Sequence, residues 1–172
     1  MAFIDSAHLE PGEILDYLII LPFLKEEAII IFHDIANQIT KAGGKNTRRN
    51  WAPYKIFNII RGNKFYPSGN NILTKEIGAI KLSKNQFKYI HDYFRALGGQ
   101  WDYFPEEEHI NLIRKLIKIY YDNDCLVIFE EALKFNRIFL RNNPLKINTV
   151  YSSETKKTFL KKSKKHKTFI LK

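Results

Sequence analysis

The segment IDSAHLEPGEILDYLIILPFLKEEAIIIFHD, Ile4 to Asp34, decides the fold of this 172-residue chain. It reads as strand, helix, strand. Ala2 to Asp5 is a short strand that runs into the polar cluster Asp5-Ser6-Ala7-His8. Pro11 and Gly12 break the chain and open a helix. On it Ile14, Leu15, Leu18, Leu21 and Leu24 recur at helical spacing, with Tyr17 beside them. Pro22 ends that helix or kinks its last turn, because its ring has no N–H to donate and crowds the preceding turn. Lys25-Glu26-Glu27 is a turn. Ala28 to Phe32 is then a continuous apolar, β-branched run that ends in His33-Asp34. Such a strand is expected to be buried on both faces, as in a parallel sheet, with the helix as its crossover.

In an open parallel sheet, ligands bind beyond the carboxyl ends of the strands. Adjacent strands lie about 5 Å apart, so Asp5 and Asp34 are placed to converge on one divalent cation. Oxygen ligands favour Mg²⁺ or Ca²⁺. His8, His33 and Asn37 are near enough in sequence to join them or to act as bases, and imidazole admits a softer metal as well. The plainer alternative has Asp5 capping the following turn, Asp34 capping the loop after its strand, and His33 as a supporting, hydrogen-bonded histidine.

Outward from this unit, residues 35–50 are polar and glycine-bearing and read as a loop over the carboxyl edge of the sheet. Lys41, Lys45, Arg48 and Arg49 would cover an anionic substrate or cofactor there, or stand as a solvated cluster. Ala52 to Ile60 is a helix stopped by Gly62. Lys64 to Tyr66 and Ile77 to Leu82 are strands with a turn at Pro67 to Asn71 between them. Without a long crossover they are expected to form an antiparallel pair at the sheet's edge. Ser83, with Gln86 three positions on, caps a helix whose stripe is Phe87, Ile90, Phe94 and Leu97, and Gly98-Gly99 ends it. Pro105 with three glutamates starts another, since acids favour the positive end of a helix. Its buried face is Ile110, Ile113, Leu116, Ile117 and Tyr120. Asn123 or Asp124 caps the last helix, which Asn142-Asn143-Pro144 closes. Trp51 and Trp101 are either pocket walls or structural. Cys125 sits in an apolar context with no obvious histidine partner and reads as core.

Composition narrows the class. One cysteine rules out a disulfide framework and fits a reducing compartment. No signal-peptide pattern opens the chain, and no span of about 20 apolar residues exists; the expectation is cytoplasmic. Net charge is +10, of which residues 151–172 carry eight lysines against one glutamate. That basic tail is able to attract nucleic acid or an anionic membrane, or is simply a solvated terminus. No zinc-finger spacing, glycine-rich loop or paired aromatic motif supports a nucleic-acid module. Residues 1–150 read as one domain, with a helical extension from about Ser83, followed by the tail.

The D-x-x-H pattern, the acidic helix after it, P-x-L and the strand ending in His-Asp together resemble one group of class I S-adenosylmethionine-dependent methyltransferases. This is the small-molecule and sugar O-methyltransferase-like group found near polysaccharide or antibiotic biosynthesis. The resemblance spans Ala2 to about Ser83 and includes IGAIKLS. It implies an α/β fold with a Rossmann-like sheet in the order 3-2-1-4-5-7-6. S-adenosylmethionine lies over the first half of that sheet, against a glycine-rich loop and an acid at the end of strand two. The four strands of this chain would be strands four to seven, the last antiparallel, followed by carboxyl-terminal helices. Asp5 and Asp34 would be metal ligands, with Mg²⁺ as the ion, or substrate-site residues. His8 or His33 would be the base, and the acceptor a small molecule or sugar.

No glycine-rich loop precedes Asp5, and neither Gly43-Gly44 nor Gly98-Gly99 follows a strand as the motif requires. The expectation is therefore the carboxyl half of a methyltransferase, from a truncated gene, a split gene or a fragment, inactive by itself. Its open sheet edge invites a second copy or the missing amino-terminal half. The alternative is a non-catalytic interaction or surface-binding domain in polysaccharide assembly, working through that edge or the tail.

Overall fold

A computed structural model of the chain describes residues 1–6, 8–35, 38–42, 45–49, 51–67 and 77–143, with the backbone alone for 38–42, 45–49 and 51. Asn37, the side chains of Lys41, Lys45, Arg48, Arg49 and Trp51, and the basic tail lie outside the described residues.

Strand β1 (Ala2–Ile4), helix α1 (Gly12–Ile20) and strand β2 (Ile29–Phe32) form the expected strand-helix-strand unit. The two strands are parallel, with Ala2 opposite Ile30 and Ile4 opposite Phe32. At Pro22 the helix tightens into a 3₁₀ turn, Leu21–Phe23. A hairpin, β3 (Gln38–Ala42) and β4 (Lys45–Arg49), comes next, then α2 (Trp51–Ile59), β5 (Gly62–Phe65) and β6 (Gly78–Leu82). Three further helices follow: α3 (Ile90–Arg95), α4 (Glu107–Tyr120) and α5 (Asn123–Asn142). The main sheet is mixed and four-stranded, in the order β1-β2-β6-β5. Strand β6 runs antiparallel to both of its neighbours.

One face of this sheet is sealed. Ile4, Ile30, Phe32, Ile80 and Leu82 alternate along the strands and are buried in one core with Leu15, Leu18, Ile56 and Phe57 of the helices. Phe57 meets Phe32 edge to face at 5.8 Å between ring centres. The later helices contribute Phe94, Ile110 and Phe129 to this same core. Gly62 opens β5 rather than merely ending α2, and a Cβ there would stand 2.3 Å from the Lys81 carbonyl oxygen. Only glycine lets β5 lie that close to β6.

Several expectations need correction. β2 is not buried on both faces. Ile30 and Phe32 are buried, but Ile29 is exposed, because the sheet is mixed and alternates like an antiparallel one. Residues 35–50 are not all loop. The sequence there is polar, so β-pairing of 38–42 with 45–49 leaves no apolar alternation to read. Ser83 does not cap a regular α-helix. Gln86 does return to it, with Nε2 2.8 Å from the Ser83 hydroxyl. The chain then enters a 3₁₀ turn from Asn85, which sits in the left-handed region, before α3 begins. This rotates the stripe, so that Tyr93 is buried and Phe87 is exposed. Tyr120 is likewise exposed, packing edge to face on Phe23. The cap of α5 is Asp122, which accepts the Cys125 N–H, and not Asn123 or Asp124.

Candidate functional site

The parallel pairing of β1 and β2 sets two strand ends side by side, and their polar residues meet there. Both ends turn sharply. His8 and Asp34 occupy the left-handed region, at φ 58° and 56°. Non-glycine residues in that region cost on the order of 1–3 kcal/mol each and concentrate at functional sites. His8 Nε2 lies 2.8 Å from Asp34 Oδ2 and 3.8 Å from Asp5 Oδ1. His33 Nδ1 lies 3.5 Å from Asp5 Oδ1 and 3.3 Å from Asp34 Oδ2. One ligand atom from each of Asp5, His8, His33 and Asp34 falls within 4.8 Å of all the others. All four sequence-derived candidates are thus together, while Asn37 lies outside the described residues.

Beneath them is a residue the sequence reading did not single out. Glu13, in the first turn of α1, is 1% exposed. Its Oε1 accepts the His8 backbone N–H at 2.6 Å and lies 3.4 Å from His8 Nδ1. Burial pushes its carboxyl above the ordinary range, against the opposing pull of its own backbone N–H, Ser6 and His8. Its only visible sign in the sequence is a glutamate in the first helical turn, which is ordinary for a helix dipole. The loop between β1 and α1 is held by two further residues of the same kind. Asp102 Oδ2 accepts the Glu10 N–H at 2.8 Å, and Asp102 N returns to Glu10 O at the same distance. Lys55 Nζ, from α2, lies 3.1 Å from the buried Glu10 carboxylate.

The hydrogen-bond account at this site does not close. Among the described residues, the buried side-chain polar atoms with no hydrogen-bond partner are Ser6 Oγ, His8 Nδ1, Glu13 Oε2 and His33 Nδ1, the two imidazole nitrogens standing within ion-pair distance of carboxylates but outside hydrogen-bond geometry. All four belong to this one cluster. Ser6 Oγ lies near enough to favour the charged forms of Glu13 and Asp16 without reaching hydrogen-bond geometry. Buried polar groups in native proteins are nearly always satisfied, and exceptions mark catalytic roles or a missing water or ion.

A groove of about 530 Å³ between α1 and α4 adjoins the site, lined by Leu15, Asp16, Ile19, Tyr103, Phe104 and Leu112 among others. None of Asp5, His8, Glu13, His33 and Asp34 lines it; Gly12 in its wall is the link to Ser6, since a Cβ there would stand 3.5 Å from both Ser6 Oγ and the Tyr103 hydroxyl. Trp101 does not line it. That side chain is buried and donates its indole N–H to the Leu97 carbonyl.

A second grouping is a helix cap. His91, Asp122 and Cys125 also bring ligand atoms within 4.8 Å, so the cysteine does have a histidine nearby. Asp122 is engaged by the Cys125 N–H and by His91 Nε2 at 2.9 Å. Burial, chiefly, pushes the Cys125 thiol up to about 12, so it stays protonated and is a poor ligand. No described helix is long and apolar enough to cross a membrane. Neither a family model, nor a curated protein, nor a solved structure matches this chain.

Proposed function

We propose that this chain is the acceptor-and-metal side of a class I S-adenosylmethionine-dependent methyltransferase sheet, whose parent activity is O-methyl transfer to a small molecule or sugar. One observation carries the reading: Asp5, His8, His33 and Asp34 converge at the ends of two adjacent parallel strands, over buried atoms left without partners. The strand order adds support. The order β1-β2-β6-β5, with β6 alone reversed, is the order 4-5-7-6 that the resemblance leads one to expect.

The donor set fits a divalent cation. Asp5 and Asp34 would hold it, with the imidazoles beside them widening the choice from Mg²⁺ to Zn²⁺ or Mn²⁺. A bound cation supplies Lewis-acid polarisation of an acceptor oxygen. His8 or His33 would be the base that takes a hydroxyl proton. On this reading the groove between α1 and α4 would receive the apolar body of an acceptor.

The described residues do not fit S-adenosylmethionine. The connection from β1 to α1, residues 5–11, contains no glycine. Gly98 closes a 3₁₀ turn, and Gly43-Gly44 fall between two hairpin strands. None of these is a glycine-rich loop leading from a strand into a helix. No methyl-transfer step is assigned to these residues, and the cofactor side lies on another segment or another chain.

Calorimetry tests the proposal with Mg²⁺, Zn²⁺ and S-adenosylmethionine, on wild type and Asp34→Ala. A cation should bind wild type and lose about 100-fold or more in affinity in the variant, while S-adenosylmethionine shows no micromolar binding. Equal, negligible cation binding in both proteins eliminates the metal centre. Micromolar cofactor binding refutes the division of the site.

A second reading, a non-catalytic interaction domain, is favoured by the outer edge of β1. Among the described strands β1 pairs only with β2, and Phe3 is 60% exposed. Such an edge invites another chain. A monomer by small-angle scattering at all concentrations tested would count against it.

A further inference from the structure

We propose that Glu13 is a positioning residue for His8, an inference that rests on the strand-end cluster being the functional site. The two faces of the His8 ring see different surroundings. Nε2 points to the cluster, 2.8 Å from Asp34 and 3.8 Å from Asp5. Nδ1 points down at Glu13 Oε1, 3.4 Å away, and is itself buried. The same oxygen accepts the His8 backbone N–H at 2.6 Å. One carboxylate oxygen thus meets the residue at two places, bonding its main chain and facing its ring. It holds the main chain in the left-handed conformation and it stands under the ring.

The ordinary explanation of an acid in the first turn of a helix is the dipole, and such acids face solvent. Glu13 is buried and turns towards a neighbouring loop instead, with Oε2 left unpartnered. Packing alone would be served better by an apolar side chain, since a buried carboxylate is expensive unless its hydrogen bonds are complete. What the carboxylate provides is an acceptor for the His8 backbone N–H and a charge 3.4 Å from Nδ1. Where a cation takes the place of the Asp34 contact, that charge favours the ring proton on Nδ1 and leaves the Nε2 lone pair to the cation. Glu13 thereby biases which nitrogen of His8 binds.

The test is Glu13→Gln, followed by ring ¹⁵N shifts of His8 and His33 without metal, and by Zn²⁺ titration. Glutamine keeps an oxygen for the His8 amide and removes the charge under the ring. Expected are a shift of the His8 ring nitrogens with those of His33 unmoved, and a loss of Zn²⁺ affinity of about 10–100-fold. Unchanged His8 nitrogens would overturn the proposal. So would a wild-type zinc complex in which Nδ1 is the bound nitrogen. If the wild type binds no Zn²⁺, the cation reading falls, and the metal-free His8 response still decides the role of Glu13. Should Glu13→Gln unfold, Glu13→Asp, which withdraws the carboxylate by one methylene, carries the same readout.

Discussion

Asn136, in the middle of α5, is fully buried, and each of its amide atoms is used. Its Oδ1 accepts the Trp101 N–H at 2.8 Å, and its Nδ2 reaches the Gly99 and Ala132 carbonyls at 3.0 Å. Gln86 is treated the same way. It accepts from the Tyr93 hydroxyl at 2.6 Å and donates to the Arg61 carbonyl at 2.8 Å. At the ends of β1 and β2, Ser6, His8, Glu13 and His33 each keep a buried atom without a partner. The contrast marks the strand ends as the candidate site. A fold able to satisfy Asn136 and Gln86 has the means to satisfy polar groups, and a deficit confined to one cluster is what a water, an ion or a ligand would fill.

The first way to break this contrast is to remove the satisfied side. Asn136→Ala leaves the buried Trp101 N–H and the half-buried Gly99 carbonyl without their partner. It should lower stability by about 3 kcal/mol in urea denaturation, since each buried group left unpaired costs about 1–3 kcal/mol. Cation affinity at Asp5 and Asp34 should not change. A loss below about 1 kcal/mol would mean that the network is decorative and the comparison unsound.

Much of the strand-end site was legible because it is local. A short strand, a helical stripe and an apolar strand place Asp5, His8, His33 and Asp34 within one unit. Parallel pairing of its two strands then needs no distant information. The pairing of β5 with β6 could be read from the absence of a long crossover between the strands expected at Lys64 to Tyr66 and Ile77 to Leu82. The polar hairpin of β3 and β4 could not, because Gln38–Ala42 and Lys45–Arg49 alternate no apolar residues. Nor could the partners of Glu10, since Asp102 is 92 residues away and Lys55 is 45. Glu13 was hidden for a different reason. Its spacing is that of a helix-start acid, and only the fold of the loop before it shows that it faces His8.

Acid titration sharpens the comparison, because the two regions move their carboxyls in opposite directions. Burial raises Glu13, Asp16 and Asp102 around the strand-end loop. In the helices, Asp122 is lowered first by the Cys125 backbone N–H, and Glu130 first by Arg114. For Asp16, a folded value above the ordinary 3.8 means that the folded state holds its proton more tightly. Its penalty is absent below 3.8 and grows as pH rises through the folded value. Asp16→Asn should therefore be more stable than wild type at neutral pH, by less than the Asn136 loss, and the advantage should shrink on acidification. Urea denaturation across that range reads both the sign and the slope. A variant less stable at neutral pH would refute burial as the dominant influence on Asp16.

The smallest effect, and the matching control, is Asp122→Asn. A carboxylate held below the ordinary 3.8 contributes stability that is present above that value and lost as pH falls through the folded one. Asparagine is as good a helix cap as aspartate, so the Cys125 N–H keeps its partner and only the charge facing His91 is removed. That pair is exposed, and solvent screens it to about 0.5 kcal/mol at neutral pH. The variant should lose this small amount at neutral pH and match wild type in acid, the reverse of Asp16→Asn. If both variants shifted stability in the same direction, the strand ends would not differ from the helices in how they bury charge, and the unsatisfied cluster would have to be explained without a site.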